Sequence, residues 1–364
     1  METRIVFHID FDYFYAQCEE VRSPELKTKP VCVCVFSDRG GDSGAIATAN
    51  YTARKYGAKS GIPITFAKKR LEERSDAVFL PVDFEYYTEI SEKAMEIMKK
   101  EADIFEYVGR DEAYLDITKR VEGDFNKASH LAQQIKNSIR DKLKLSCSIG
   151  VSQNKLISKI ASNYQKPDGL TIVTPEKVEE FLEQLRIRTI PGIGGKTEKI
   201  FLEMKIETIQ DLKNLDVFTL SNKLGRKSGT YIYNAVRGID NEPVKEKDAR
   251  IQYSKIVTLK KDSKDYSFLS DNIKELCKEV HNVVRKNNQM FKSVGIHFVQ
   301  SDLSNKSKSR MLRNPTTELK ELEKNAKQLL VEALENQTIT IRRLGVKVSE
   351  LSEIQGQRDI TNYF

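Results

Sequence analysis

No run of apolar residues in this chain approaches the roughly 18–20 needed to cross a bilayer as a helix, which excludes a helical membrane protein. The opening METRIVFHID lacks the basic-then-apolar layout of a secretory signal. Cysteine is scarce: Cys18, Cys32, Cys34, Cys147 and Cys277 are odd in number and contain no CxxC pair. The four histidines (His8, His130, His281 and His297) are scattered. Neither a structural zinc site nor a disulfide framework is expected, and a reducing, intracellular setting suits such a chain. Cys32 and Cys34 alternate with valines in VCVCVF and read as small core residues of a strand. There is no internal repeat.

What is present describes a soluble protein of several parts. The 364 residues are 39% hydrophobic and 31% charged, too many for one core, and two to four domains are expected. The net charge of +7 is unevenly spread. Between Arg250 and Glu350 there are 20 basic residues against 12 acidic ones, so the remainder is close to neutral. A segment of that kind suits a module that tracks phosphates, although a merely soluble lysine-rich surface would look the same.

The pattern along the chain begins with a strand, RIVFHID, then a helix through AQCEEV, the strand PVCVCVF and a Gly-rich loop, SDRGGDSG. Asp83 precedes a helix whose apolar positions Tyr86, Ile90, Ala94, Ile97 and Met98 recur at helical spacing. IFEYVGRDEAYLDI alternates as a two-stranded hairpin; HLAQQIKNSIRDKL is an amphipathic helix and LSCSIGV a strand. Together they predict an α+β sheet with helices on one face. From about residue 175 the chain turns helical, and RTIPGIGGKTEKIFLEM has the form of helix, Pro-Gly-Ile-Gly hairpin, helix. A polar stretch, RGIDNEPVKEKDAR, reads as a linker, and a second small α/β sheet follows. In its last strand Leu344, Val346 and Val348 share one face, Arg343 and Lys347 the other.

The chemistry concentrates in acids. Asp111 and Glu112 are neighbours in GRDEAYLD, and neighbours in a regular strand face opposite ways unless the backbone turns, as at a hairpin tip. Asp10 ends the first strand and supplies a third carboxylate. Three such groups on adjacent strand ends form a hard-oxygen site suited to Mg²⁺. Two ions about 3.5–4 Å apart would stabilise the attacking and leaving oxygens of a phosphoryl transfer. An Asp-Glu pair alone is usually a solvated turn, so the reading rests on company. Asp12 could be a further ligand, but a structural role at a helix start is preferred.

DFDYFYAQCEE, DSGAIATANYTARKYG, GIPI, DEAYLD, SIGVSQNKLISKIAS and KPDGL occur in the order and spacing of the Y-family translesion DNA polymerases. The chain resembles the DNA polymerase IV branch in its archaeal form over nearly its whole length, most densely before residue 170. The resemblance implies a right-hand polymerase. Its parts would be a ferredoxin-like palm (1–13 and 82–168), small fingers (14–81) and a helical thumb with a helix-hairpin-helix (169–236). A linker (237–250), a C-terminal α/β little finger (251–350) and a flexible tail (351–364) would follow. It implies template-directed addition of dNTPs to a primer 3′ end with low fidelity and no proofreading. It assigns Asp10, Asp111, Glu112 and the carbonyl of Phe11 to two Mg²⁺ ions, with Mn²⁺ as a substitute. Tyr15 matches the steric gate that excludes a 2′-hydroxyl. Tyr51, Arg54 and Lys166 would hold the triphosphate, with backbone N–H groups from Phe11 through Tyr13 to Phe14; Ala45 and Ala47 would form the small roof over the base pair, and Ala47 and Thr48 count among the nucleotide-binding residues. Those residue types suit a triphosphate, since Arg binds phosphate bidentately, Lys offers a point charge, and Tyr a hydroxyl donor.

For the DNA, the hairpin with Gly192, Gly194 and Lys196 offers backbone N–H groups at a helix start, and the basic sheet face with Arg343 and Lys347 would grip the duplex backbone. In the tail, Gln357, Ile360, Tyr363 and Phe364 have the form of a peptide that binds a ring-shaped sliding clamp, since one helical turn gathers the three apolar side chains. A monomer in the archaeal cytoplasm, associated with the nucleoid, is expected. One departure stands out. The family has an apolar residue before the acid pair, often with serine before that; here they are Gly109 and Arg110. Arg110 would point away from the metals, toward packing or another charge, or turn inward and depress the carboxylate pKa values. Two rivals remain from the residues alone: another two-metal enzyme on a similar palm, such as a nucleotidyl cyclase, or a non-catalytic scaffold.

Overall fold

The computed structural model describes residues 3–246, 250–335 and 340–354. It divides into two compact units. One holds the described residues up to 35, then Ala45–Ile62 and 66–246; the other holds 36–44, 63–65 and those from 250 onward.

The first unit opens with β1 (Val6–Phe11), α1 (Phe14–Arg22), β2 (Val31–Phe36), β3 (Gly44–Ala49), α2 (Tyr51–Arg54), α3 (Ile64–Arg70) and β4 (Val78–Pro81). Then come α4 (Phe84–Lys100), β5 (Ile104–Tyr107), β6 (Glu112–Asp116), α5 (Phe125–Leu143), β7 (Cys147–Ser152), α6 (Lys155–Tyr164) and β8 (Leu170–Ile172). The strands form a five-stranded sheet in the order β5-β6-β1-β7-β8 and a three-stranded sheet β3-β2-β4. In the larger sheet β1 is central and antiparallel to both β6 and β7, while β7 and β8 pair in parallel. Asp83, Asp124 and Asn154 each accept a backbone N–H at the start of α4, α5 and α6, satisfying donors the helix leaves open. Cys32 and Cys34 are fully buried in β2, as the alternation with valine predicted.

Alternation along β1 sorts the sheet's two faces. Phe7, Ile9 and Phe11 enter a core with Tyr87, Ala94 and Met98 of α4 and Ala128, Ala132 and Ile135 of α5. The expectation of helices on one face is therefore incomplete, because α6 covers the other. Gly150 of β7 makes this possible: a Cβ there would lie 1.9 Å from the Ser158 carbonyl oxygen, so only glycine lets α6 lie so close.

The helical stretch continues with α7 (Val178–Glu183), α8 (Gly195–Glu203), α9 (Ile209–Lys213), α10 (Val217–Leu224) and α11 (Arg226–Ala235). The helix predicted before the Pro-Gly-Ile-Gly hairpin is only a 3₁₀ turn, Ile187–Thr189. Arg186 is held in a β-bridge with Thr208 and Pro191 follows, which leaves no room for a longer helix. The expected linker is partly docked on this unit. Gly238 O accepts from Asn154 (2.9 Å), Asp240 from the Leu156 N–H (2.9 Å), and the Lys245 N–H donates to Glu106 (3.1 Å).

The second unit carries β9 (Gln252–Ser263), α12 (Tyr266–Lys286), β10 (Gln289–Gln300), β11 (Asn305–Thr316), α13 (Leu319–Leu334) and β12 (Ile341–Glu353). Its antiparallel sheet runs β11-β10-β12-β9. Leu344, Val346 and Val348 are buried with α12 and α13, whereas Arg343 is exposed and Lys347 half-buried on the opposite face.

Candidate active site

The register of β1 and β6 builds the acidic cluster. Asp10 is the direct partner of Glu112, and His8, two residues before Asp10, shares its face. Asp111 lies just before β6, in the turn, and its carbonyl accepts the Phe11 N–H (2.9 Å), which draws the turn to the end of β1. Ligand atoms of His8, Asp10 and Glu112 lie within 4.8 Å of one another. Gly109 leaves room in the same turn: a Cβ there would stand 3.2 Å from Asp111 Oδ1 and 3.7 Å from Glu112 Cγ.

Charge is compensated by two lysines. Lys166 is paired with Asp10, and Lys159 of α6 with Glu112. Burial pushes Asp10 up despite the opposing pull of Lys166. Burial and then the charge of Glu112 push Asp111 up, though its side chain is exposed and water damps the effect. Glu112 is held down at about 2, first by its hydrogen bond with His8 and then by Lys159. The site therefore holds acids under opposite pressures, and two oxygen-rich partners at 10 and 112 suit a divalent cation.

Three contributors were not among the predicted site residues. His8 is fully buried; its Nε2 is hydrogen-bonded with Glu112 (3.1 Å) and its Nδ1 lies 2.7 Å from the Ser162 hydroxyl. Burial lowers its pKa, so it stands as neutral imidazole with both nitrogens engaged. Lys159 and Ser162 come from α6, the helix that Gly150 admits. The signal for His8 was its spacing of two from Asp10 in a strand. Asp12 is structural, but not as a helix cap: it accepts from the Ser146 (2.7 Å) and Ser148 (2.5 Å) hydroxyls and from the Asp168 N–H (3.0 Å). It thus anchors the loop that carries Lys166.

Next to the acids lie the groups predicted to take a nucleotide. Tyr13 and Tyr51 meet edge to face at 5.3 Å, and the Arg54 guanidinium stands 4.8 Å from the Tyr51 ring centre. Arg54 Nε donates to the Ala49 carbonyl (2.8 Å). The Tyr13 hydroxyl donates to Glu20 (3.0 Å), and the Phe11 N–H, expected among the phosphate donors, is taken by Asp111. Phe14 is buried. Tyr15 stacks on Tyr87 with centres 4.6 Å apart. Ala45 is exposed and Ala47 and Thr48 are partly so, in β3.

Of the predicted DNA contacts, Gly192 has φ +91°, a conformation that glycine tolerates best, and Gly194 caps α8 without a side-chain acceptor. Lys196 is exposed in the first turn of α8. In the second unit Lys347 lies across Gly295, where a Cβ would be 2.7 Å from its Cε. Gln357, Ile360, Tyr363 and Phe364 lie outside the described residues. Arg110 turns away from the acids and onto α4, where it meets a ring and a hydroxyl, not a charge: its Nε donates to Thr88 Oγ1 (2.9 Å) and its guanidinium is 5.2 Å from the Phe84 ring centre.

Known proteins of similar sequence and structure agree with one another. The impB/mucB/samB family matches residues 9–163 and its C-terminal domain residues 250–361; the DNA polymerase-iota thumb domain matches residues 188–240. A DNA polymerase IV of Nitrosopumilus maritimus is 80% identical over 364 residues, covering 100% of both chains. One from Saccharolobus solfataricus is 36% identical over 97% of this chain and 98% of its own. Among solved structures, the Y-family DNA polymerase chimera Dbh-Dpo4(243-245)-Dbh aligns with a TM-score of 0.89 at 34% identity, covering 96% of this chain and 100% of that one. An insertion ternary complex of Dbh DNA polymerase aligns at 0.69 with 34% identity over the same shares.

Proposed function

The chain belongs to the impB/mucB/samB family, that of the Y-family DNA polymerases, and from that premise we propose that the acids at the ends of β1 and β6 are its catalytic centre. It is a DNA-directed DNA polymerase of the low-fidelity, translesion kind, with palm, thumb and little-finger architecture. Asp10, Asp111, Glu112 and the Phe11 carbonyl would hold two divalent ions, Mg²⁺ or in its place Mn²⁺. Bound there, such ions supply positive charge to the α-phosphate and its leaving group. The single observation that carries this reading is the register: Asp10 opposite Glu112, with Asp111 drawn in by its bond to the Phe11 N–H.

The chain's own residues supply the rest. Lys166, close to Asp10, would meet the triphosphate beside Tyr51 and Arg54, with remaining backbone donors near Tyr13 and Phe14. The primer 3′-hydroxyl attacks the α-phosphorus and pyrophosphate departs. Tyr15 lies beneath the incoming sugar, Thr48 contacts the nucleotide, and Ala45 and Ala47 leave the nascent pair loosely roofed, which suits damaged templates. Gly192, Gly194 and Lys196 on one unit and Arg343 and Lys347 on the other hold the duplex backbone. The protein acts as a monomer and takes a sliding clamp through Gln357, Ile360, Tyr363 and Phe364.

Asp111→Asn tests the centre. Primer extension with Mg²⁺ should fall by more than the ~10–100-fold typical of losing a partner behind a metal ligand. Binding of primer-template, read by fluorescence anisotropy, should stay intact. Extension close to wild type would remove Asp111 from the centre.

A further inference from the structure

The position where this chain departs from its family leads back to Tyr15. Arg110 is fastened along one stripe of α4. Its carbonyl accepts from the Ser91 hydroxyl (2.6 Å), its Nε donates to Thr88, and its guanidinium faces Phe84. Residues 84, 88 and 91 are four and three apart, so they share a helix face. Phe84 opens α4 and is 44% exposed. Its ring meets Tyr15 nearly at right angles, with centres 6.1 Å apart and planes at 80°. Tyr87, one turn on, stacks on Tyr15 at an interplanar angle of 15°, and its hydroxyl donates to Glu19 (2.7 Å). Two α4 rings thus bound Tyr15 in different directions, one fully buried and the other partly exposed and faced by the Arg110 guanidinium.

We infer that Arg110, acting through Phe84, positions the Tyr15 ring and thereby sets how strictly the enzyme separates deoxyribonucleotides from ribonucleotides. The inference rests on the reading of Tyr15 as the residue that tests the sugar. Discrimination of this kind is repulsive, and a ring that can tilt away from a 2′-hydroxyl stops repelling it. Stacking on Tyr87 restrains the ring against leaving its plane, but a stacked pair can still slide. Phe84, set across that direction, blocks the slide. A half-exposed Phe at a helix start would itself be free to swing into solvent; the guanidinium, tied to Thr88, keeps it in place through its attraction to the ring. Arg110 and Phe84 are positioning residues, and their effect runs through Tyr15.

The test is single-nucleotide incorporation by the full-length enzyme, comparing kcat/KM for a dNTP with that for the matching rNTP. Phe84→Ala and Arg110→Leu should each lower the dNTP preference by about 3–10-fold, the worth of one aromatic contact, with dNTP turnover within about twofold of wild type. Phe84→Tyr, which keeps the ring, should restore the preference. In a Tyr15→Ala background Phe84→Ala should change nothing further, since the two act as one device. An unchanged preference in folded Phe84→Ala, or an equal loss when Tyr15 is already gone, overturns the inference and leaves the gate standing. An unchanged preference in Tyr15→Ala removes the gate itself, and this inference with it.

Discussion

At the scale of single residues, the site combines acids that resist ionisation with one that favours it. Glu112 releases its proton more readily in the folded chain than in the unfolded one: its usual 4.5 falls to about 2 beside His8 and Lys159. A depressed acid favours folding fully above its unfolded value, and that contribution is lost as pH falls toward the folded value. Metal-free wild type should therefore be more stable to urea than Glu112→Gln at about pH 6, with the gap narrowing by about pH 3.5. A gap that stays constant over that range would mean the His8 and Lys159 contacts are not formed. The meeting of Asp10 with Glu112 was legible because both stand at strand ends within dense motifs. His8 was not, because one histidine in an apolar strand reads as core until the register shows it opposite Tyr114, beside Glu112's strand. Arg110 was legible as a departure, while its destination was not, since sequence alone does not say which helix passes a turn.

At the scale of elements, most strands and helices followed from periodicity and caps. Asp83 opens α4 as predicted, and the hairpin of β5 and β6 has its turn where the acids lie. What escaped was the packing of α6, since a glycine in SCSIGVS marks a close approach without naming the neighbour. Gly150 decides that approach. Gly150→Ala should cost about 1–3 kcal/mol, the usual range for overpacking, because the obstructing atom is a backbone carbonyl that cannot swing aside. It should also slow extension, as α6 carries Lys159 and Ser162 to the acids. Thermal unfolding and primer extension read the two effects; a variant as stable as wild type would mean α6 is not held where Gly150 admits it. The helix-hairpin-helix was half legible: its glycines were placed, but the short 3₁₀ turn before them shows that four residues between a bridge and a proline cannot make a full helix.

At the scale of the whole molecule, the division of charge was the most legible feature. The basic excess lies in the second unit, whose sheet turns an apolar face to two helices and leaves Arg343 and Lys347 on the other. Much of the expected linker, 237–250, is bound to the first unit, because Asn154 and Glu106 offer partners that composition does not reveal. Deleting Gln357–Phe364 should erase stimulation by an archaeal sliding clamp and leave basal extension intact. A truncated enzyme that still responds to the clamp would assign the contact to another surface.

The pairing of Lys166 with Asp10 and Lys159 with Glu112 has a consequence for the acids themselves. Anions crowded at one strand end would otherwise spread apart or take up protons. The two ammonium groups hold the carboxylates together at the ends of β1 and β6, so the fold itself supplies the counter-charge that this crowding demands.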